Sequence, residues 1–173
     1  MALSSEAIER CLELLTSEVR SHPQLSPEFA SSIREFFRGP APAGGGPLDV
    51  LLAGRRHLEW FLVEHHCGAF PGMIADHLVE PYTAKVMAVA EDDDDGPELI
   101  RSHTGIFEVE EVRTGAGAWL RDVTGFGSFA LAGAGLSESL KGGELLVGRL
   151  YPAGEGVHVA SPAAAIVRAP QVV

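Results

Sequence analysis

Apolar and polar positions follow two periods along this chain, and the change falls near residue 105. In segment 4–20, Ile8, Leu12, Leu15 and Val19 recur at helical spacing with Cys11 and Leu14 beside them, which predicts an amphipathic helix. Ser4 or Ser5 is placed to cap it, Glu6 sits where the helix dipole favours an anion, and His22-Pro23 ends it. Ser26-Pro27-Glu28 opens a second helix: a capping serine, proline at the first helical position, then an acid. Phe29, Ile33 and Phe36/Phe37 form its apolar face, and Gly39-Pro40 stops it. The short connection predicts an antiparallel helical hairpin.

GPAPAGGGP (39–47) is a linker by composition. The strongest helix is expected over 48–66, with Leu51, Leu58, Phe61, Leu62 and His65 on one face, Leu48 and Val63 flanking it, and Gly68 as the stop. Gly54 inside it costs about 1 kcal/mol relative to alanine, which predicts close packing there. Further short helices are expected over 71–79 (Met73, Ile74, Leu78) and from Pro81 onward (Val86, Met87, Val89). The acidic run EDDDDG (91–96) reads as a solvated loop or a fraying helix end. A calcium loop needs glycine at its sixth position and glutamate at its twelfth; counted from Asp92 these are Pro97 and His103, so the pattern fails.

Beyond Gly105 the segments shorten and alternate. Strands are expected over 106–112, 118–123, 128–131, 144–151, 157–159 and 165–167, separated by Thr114–Gly117, Thr124–Gly127 and Ala153–Gly156. Five or six short strands punctuated by glycine predict a small barrel or rolled sheet, because a flat sheet this short exposes both edges. The fold class expected is α+β: a helical segment, 1–104, packed on a small antiparallel β-barrel or rolled sheet, 105–173, with Trp60 and Phe61 near the junction.

The 173 residues suit one domain or two small ones, and a hydrophobic fraction of 46% is enough to fill a core. The formal net charge is −11, and its distribution matters more than its size. Residues 1–104 hold 8 Lys/Arg against 17 Asp/Glu, and residues 105–173 hold 5 against 7. Neither half is basic, which disfavours long-range attraction to nucleic acid. Two cysteines, Cys11 and Cys67, are too few for a disulfide scaffold and predict a reducing compartment. The N-terminal stretch has no basic n-region and long apolar core, and no segment is apolar enough to span a bilayer, so the expected location is the cytoplasm, away from membranes.

Candidate chemistry is sparse. His65-His66-Cys67, with His57 and His77 nearby, is the densest group of possible metal ligands. Adjacent helical residues diverge by about 100°, so His65 and His66 are poorly placed to share an ion. His66 and Cys67 reach His77 only if the chain doubles back at Phe70-Pro71-Gly72. No C-x-x-C or H-x-x-x-H spacing occurs, and a pair of histidines at a helix C-terminus is the simpler reading. Cys67 at a helix C-terminus has its thiolate disfavoured, and Cys11 lies on an apolar stripe. No G-x-S-x-G elbow and no phosphate-binding glycine loop is present; Gly125-Phe126-Gly127 lacks the third glycine. His103 and His158 have no partner evident from sequence. Trp119, Arg121, Phe126, Phe129, Lys141 and Arg149 could combine stacking with charge against single-stranded nucleic acid. Trp119 and Arg121 share one face of a strand, whereas Glu108, Glu110, Glu111 and Glu144 argue against a polyanion there.

Two stretches carry a family resemblance. HLEWFLVEHH (57–66) resembles the F-x-x-W-F-L helix of bacterial proteins associated with the SEC-C motif. GIFEVEEVRTGAGAWLRDVTGFGSFAL, followed by LKGGELLVGRLYP and VHVASP, is similar to their small C-terminal β-module, with the parts in the same order across about residues 57–162. Gly143-Glu144 stands where the pattern has Gly-Asp, and the cysteine- and histidine-rich metal motif that names the family is absent, so no zinc role carries over. The resemblance implies a helical segment joined to a β-module and no particular activity.

The leading functional expectation is therefore a non-enzymatic protein-interaction module, an adaptor or regulatory subunit, with no cofactor and with Trp60, Trp119, Arg121, Phe126 and Arg149 as candidate contact residues. A nucleic-acid-associated barrel is the alternative. An enzyme or metal protein with a site around His57, Glu59, His66 and Asp76, or with His66, Cys67 and His77 as ligands, is the third.

Overall fold

The computed structural model describes residues 5–40, 46–68, 70, 72–75, 77–78, 101–132, 139–154 and 156–168. The fold is α+β, and the chain divides into two compact units, residues 9–100 and residues 1–8 with 101–173. Helix α1 spans Ser5–Ser21, α2 Leu25–Phe36 and α3 Pro47–Val63. The helix expected from Pro81 and the acidic run lie outside the described residues, as does Asp76.

The periodicity of α1 is realised: Ile8, Leu12, Leu15 and Val19 are buried, together with Cys11. The start of α2 differs from expectation. It begins at Leu25, ahead of Ser26, and Gln24 at its N-cap makes no side-chain cap bond. The His22 imidazole takes that role, its Nδ1 accepting from the amides of Gln24 (3.3 Å) and Leu25 (3.4 Å). Helix α3 opens with proline in its first turn, and the Asp49 carboxylate accepts the Gly46 amide at 2.8 Å. It closes before Gly68, because the amides of Glu64 (2.8 Å) and His65 (3.0 Å) both turn back to the Trp60 carbonyl.

Aromatic rings join α2 to α3. Phe29 stacks on His57 with centroids 4.6 Å apart and meets Phe61 edge-on at 5.0 Å, while Phe36 lies 5.4 Å from Trp60. These contacts begin at His57, so the apolar face of α3 is used only in its C-terminal half: Leu58, Phe61 and Leu62 are buried, but Leu51 is 50% exposed and Leu48 and Val50 are more so. Nor does Gly54 mark a close approach, since a methyl group there would meet no atom within 4 Å. Past α3, His66 pairs with Met73 in an isolated antiparallel bridge, so the chain does double back, and Ile74, Ala75 and Leu78 are buried.

Six strands follow: β1 His103–Arg113, β2 Gly117–Asp122, β3 Ser128–Leu131, β4 Leu145–Pro152, β5 Val157–Ala160 and β6 Ala165–Val167. They are ordered β1-β2-β3-β5-β4, and β4 pairs with β1 again to close a five-stranded barrel; β6 adds to β4. All pairings are antiparallel except β3 with β5, which run parallel through Ala130↔Val157 and Leu131↔His158. That parallel pair is the departure from the antiparallel sheet expected. It arises because β4 crosses to the far side of β1 before the chain returns as β5. Phe107, Val109, Leu120, Leu131, Leu146 and Leu150 fill the interior, each contributing roughly 1.5–3 kcal/mol for a large apolar side chain fully buried.

Gly117 shows what the barrel demands of one position. Its φ is +130°, and a Cβ there would lie 1.9 Å from the Leu131 carbonyl oxygen. The two glycines therefore predict opposite outcomes. Gly54→Ala should raise stability by about 1 kcal/mol, the helix-propensity difference, whereas Gly117→Ala should unfold or severely destabilise the barrel. Urea titrations followed by circular dichroism check both; a destabilised Gly54→Ala protein would contradict the open surroundings described for that position.

Candidate functional site

In the helical unit three polar side chains converge that no sequence spacing announces. The Cys67 thiol donates to Glu28 Oε2 at 2.9 Å, and His65 Nε2 lies 3.0 Å from Glu28 Oε1, with its Nδ1 3.7 Å from Glu35. The thiol hydrogen bond, followed by the His65 contact, holds the Glu28 carboxyl below the usual carboxylate range. Cys67 and His65 are buried, so the cluster anchors the segment after α3 onto α2. His66 points elsewhere: it is exposed, with Nδ1 3.2 Å from the Glu64 carbonyl. His77 stacks on Phe70 at 5.0 Å. The suggested set of His66, Cys67 and His77 is thus dispersed over three different contacts. Among the described residues no three His, Cys, Asp or Glu side chains are grouped to hold a metal ion.

His57 and Ser32 form the pair most like a base and a nucleophile, with Nε2 2.8 Å from Oγ. The Ser32 hydroxyl also reaches the Phe29 carbonyl at 3.0 Å, so its single proton has two acceptors in range, and the His57 tautomer sets which one takes it. Both residues are buried, and burial, with His65 nearby, lowers the His57 pKa. Glu59 is buried as well, whereas His66 is exposed. Trp60, expected as a contact residue, packs its ring 5.0 Å from His65 and 6.2 Å from His57 within the helical unit. Cys11 is core, and burial pushes its thiol up to about 11.

The barrel presents a different surface. Phe107 and Val109 on β1 and Ala118 and Leu120 on β2 point inward, so Ile106, Glu108, Trp119, Arg121 and Val123 point outward. Val123 donates its amide to the Ile106 carbonyl at 2.9 Å, which sets those two apolar side chains side by side. Trp119 is 41% exposed, Ile106 41% and Val123 45%. Arg121 shares the Trp119 face as the alternation requires, but it is committed: it pairs with Glu110 at 3.0 Å and also with Glu108. Arg113 pairs with Glu111 at 2.8 Å, holding that carboxyl below its ordinary range, and Arg168 pairs with Glu144 at 2.9 Å.

Arg149 corrects the expectation of a surface cation. It is only 4% exposed, and its Nη1 donates to Ser102 at 2.8 Å. Alternation along β4 places it outward from the barrel interior, and what alternation cannot say is whether an outward face is covered.

The β2–β3 turn displays Phe126, which at 77% is the most exposed large apolar residue described. Asp122 builds that turn. Its Oδ1 accepts the Thr124 amide at 2.6 Å and the Thr124 hydroxyl, and its Oδ2 meets His103 Nε2 at 3.0 Å. The Thr124 hydroxyl, then His103 and the Thr124 amide, lower its pKa to about 2. Gly125 and Gly127, at φ +95° and +132°, complete the reversal. His103 stacks on Phe129 at 5.0 Å, and Phe126 meets its edge at 5.5 Å. The D-x-T-G run was the one sequence signal for this arrangement, because an aspartate that bonds its own backbone two residues on is a turn signature. His158, beside Phe129, has its pKa lowered by burial, partly offset by a hydrogen bond to the Ala130 backbone.

Comparison with family models, with curated proteins and with solved structures finds no significant match to this chain. No helix among the described residues is long and apolar enough to cross a membrane.

These groups set a two-stage dependence of stability on pH. His57 and His158 titrate below 6.5 in the fold, so the unfolded chain binds protons first and stability declines as pH falls below about 6.5. Asp122 titrates at about 2 against an ordinary 3.8, so its contribution is full above about 4 and is lost as pH falls through 2. Asp122→Asn should lower barrel stability near neutrality and flatten the acid stage. Urea midpoints in a Trp60→Phe background, where Trp119 fluorescence reports the barrel, measure this; an unchanged acid limb would remove Asp122 from the account.

Proposed function

We propose that this chain is a non-enzymatic protein-interaction module, an adaptor or regulatory subunit, whose contact surface is the outer face of β1 and β2 with the turn that follows. The observation that carries this reading is the exposure of Trp119, Ile106 and Val123 on the outer face of β1 and β2, with Phe126 exposed on the turn that follows. Singly exposed apolar residues are ordinary, but an exposed tryptophan with β-branched Ile106 and Val123 on the same two strands has the composition of an interface core. The pairing of Arg121 with Glu108 and Glu110 satisfies that cation, and the trio keeps one net negative charge.

The strand order is one used by oligonucleotide-binding barrels, and Trp119 is a stacking platform in principle. Fold does not fix function, and charge favours the protein partner. Of the five Lys/Arg residues in 105–173, Arg113, Arg121 and Arg168 are paired with glutamate and Arg149 is buried, leaving Lys141. Phosphate contacts supply most non-specific affinity for nucleic acid, and this face has few to offer.

Two measurements test the reading. The immobilised full chain should retain a polypeptide from native lysate, or itself, and Trp119→Ala should lose most of that retention. Fluorescence anisotropy with single-stranded RNA and DNA at low salt should show no saturable binding. A chain that is monomeric by light scattering and retains nothing would overturn the proposal, and salt-sensitive binding of oligonucleotide would replace it.

A further inference from the structure

We infer that the partner seated on the outer face of β1 and β2 is a basic polypeptide segment of another protein. It places one large apolar side chain in a cleft beside Trp119 and its lysine or arginine groups against the glutamates around that cleft. This rests on the reading of that face as an interface and adds the chemistry of its occupant.

The cleft follows from strand register. Glu111, Trp119, Ala130 and Val157 are successive cross-strand partners on β1, β2, β3 and β5. Partners across a sheet share a face, so all four side chains stand outward together. Ala130 is the smallest of them and lies between Trp119 and Val157, so the row is hollow at its position. The hollow is an open cleft of about 210 Å³, lined also by Ala116 and Ala132 and rimmed by Arg113. Apart from Arg113, its lining side chains are apolar. It is smaller than the roughly 300–1,000 Å³ of sites that enclose a drug-sized ligand or cofactor, so it suits one inserted side chain. The Trp119 indole forms one wall, and a large apolar guest there gains contact with a broad ring.

Charge selects what carries that side chain. Around the cleft Glu108, Glu110 and Glu111 outnumber Arg113 and Arg121, and both guanidiniums are already paired with those glutamates. Arg113 holds Glu111 at 2.8 Å, and Arg121 holds Glu110 at 3.0 Å as well as Glu108. The five groups keep one net negative charge, in a chain that carries −11. All three glutamate side chains are exposed, so a cation reaches them from outside. An acidic guest has to draw a guanidinium off its glutamate, which leaves that carboxylate beside a second anion. A second copy of this chain brings the same excess of acid with it. Opposite charge also steers a basic segment toward this face, and that attraction weakens as salt rises.

Selection from a random dodecapeptide library on the immobilised full chain tests this. The retained pool should be enriched in Lys and Arg over Asp and Glu, with a Leu, Met, Phe or Trp in each strong binder. A synthetic copy of the best peptide, followed by fluorescence anisotropy, should bind about tenfold more weakly to Trp119→Ala, the loss typical of removing an interface anchor. Ala130→Leu, which fills the cleft from outside, should weaken it as much. Affinity should fall several-fold between 0.05 M and 0.5 M salt, and the double substitution Glu108→Gln/Glu110→Gln should shrink that dependence. Circular dichroism should be unchanged throughout, because these side chains point out of the barrel. Leu51→Ala, on the exposed start of α3, should bind as wild type does. An acidic or uncharged pool that still depends on Trp119 overturns the inference and spares the functional proposal, as does self-association of the chain through Trp119. A library that yields no binder, or binding that survives both Trp119→Ala and Ala130→Leu, also overturns it, while capture from lysate judges the functional proposal separately. Saturable binding of single-stranded DNA that is lost in Trp119→Ala would overturn both.

Discussion

The barrel depends on one strand serving two neighbours. β1 is long enough that residues 103–108 pair with β4 while 107–113 pair with β2, with a register break between Val109 and Glu111. That break gives the strand its local twist, so its two ends can belong to opposite walls. Closure follows from it, and closure removes the edges that a small sheet would otherwise leave open. Gly143 and Glu144 extend the same ladder, with Val109 donating to the Glu144 carbonyl and accepting from the Gly143 amide. A glycine pair ahead of β4 is thus part of how the strand is steered against β1.

The outward chemistry of the barrel is a consequence of how its interior is satisfied. Asp122 faces inward at the end of β2, where an unpaired carboxylate would be costly, and it is satisfied by Thr124 and His103. Satisfying it shapes the turn, and the turn projects Phe126. An electrostatic requirement inside the barrel thereby fixes an apolar feature on its surface.

Strand positions were readable almost to the residue, because alternation, β-branching and glycine-bearing turns all repeat over short distances. α1 was readable for the same reason. What could not be read depends on residues distant in sequence. Glu28 and Cys67 are 39 positions apart, and their hydrogen bond explains why a cysteine follows two histidines without any metal pattern. The exposure of Leu51 depends on where α2 ends its contacts with α3. Arg149 and Arg121 look alike in sequence, each a cation in an alternating strand; one is buried and the other is clamped between glutamates. The His22 cap was missed because imidazole rarely competes with serine for that position.

Gly117 bears on ancestry. A residue whose side chain has no room and whose backbone occupies a left-handed region is closed to gradual substitution, so drift must pass around it. A glycine opening the second strand, opposite the carbonyl that ends the third, is therefore a fixed point of the backbone. A chain sharing this barrel would be better recognised by that point and its spacing to the D-x-T-G turn than by resemblance along its whole length.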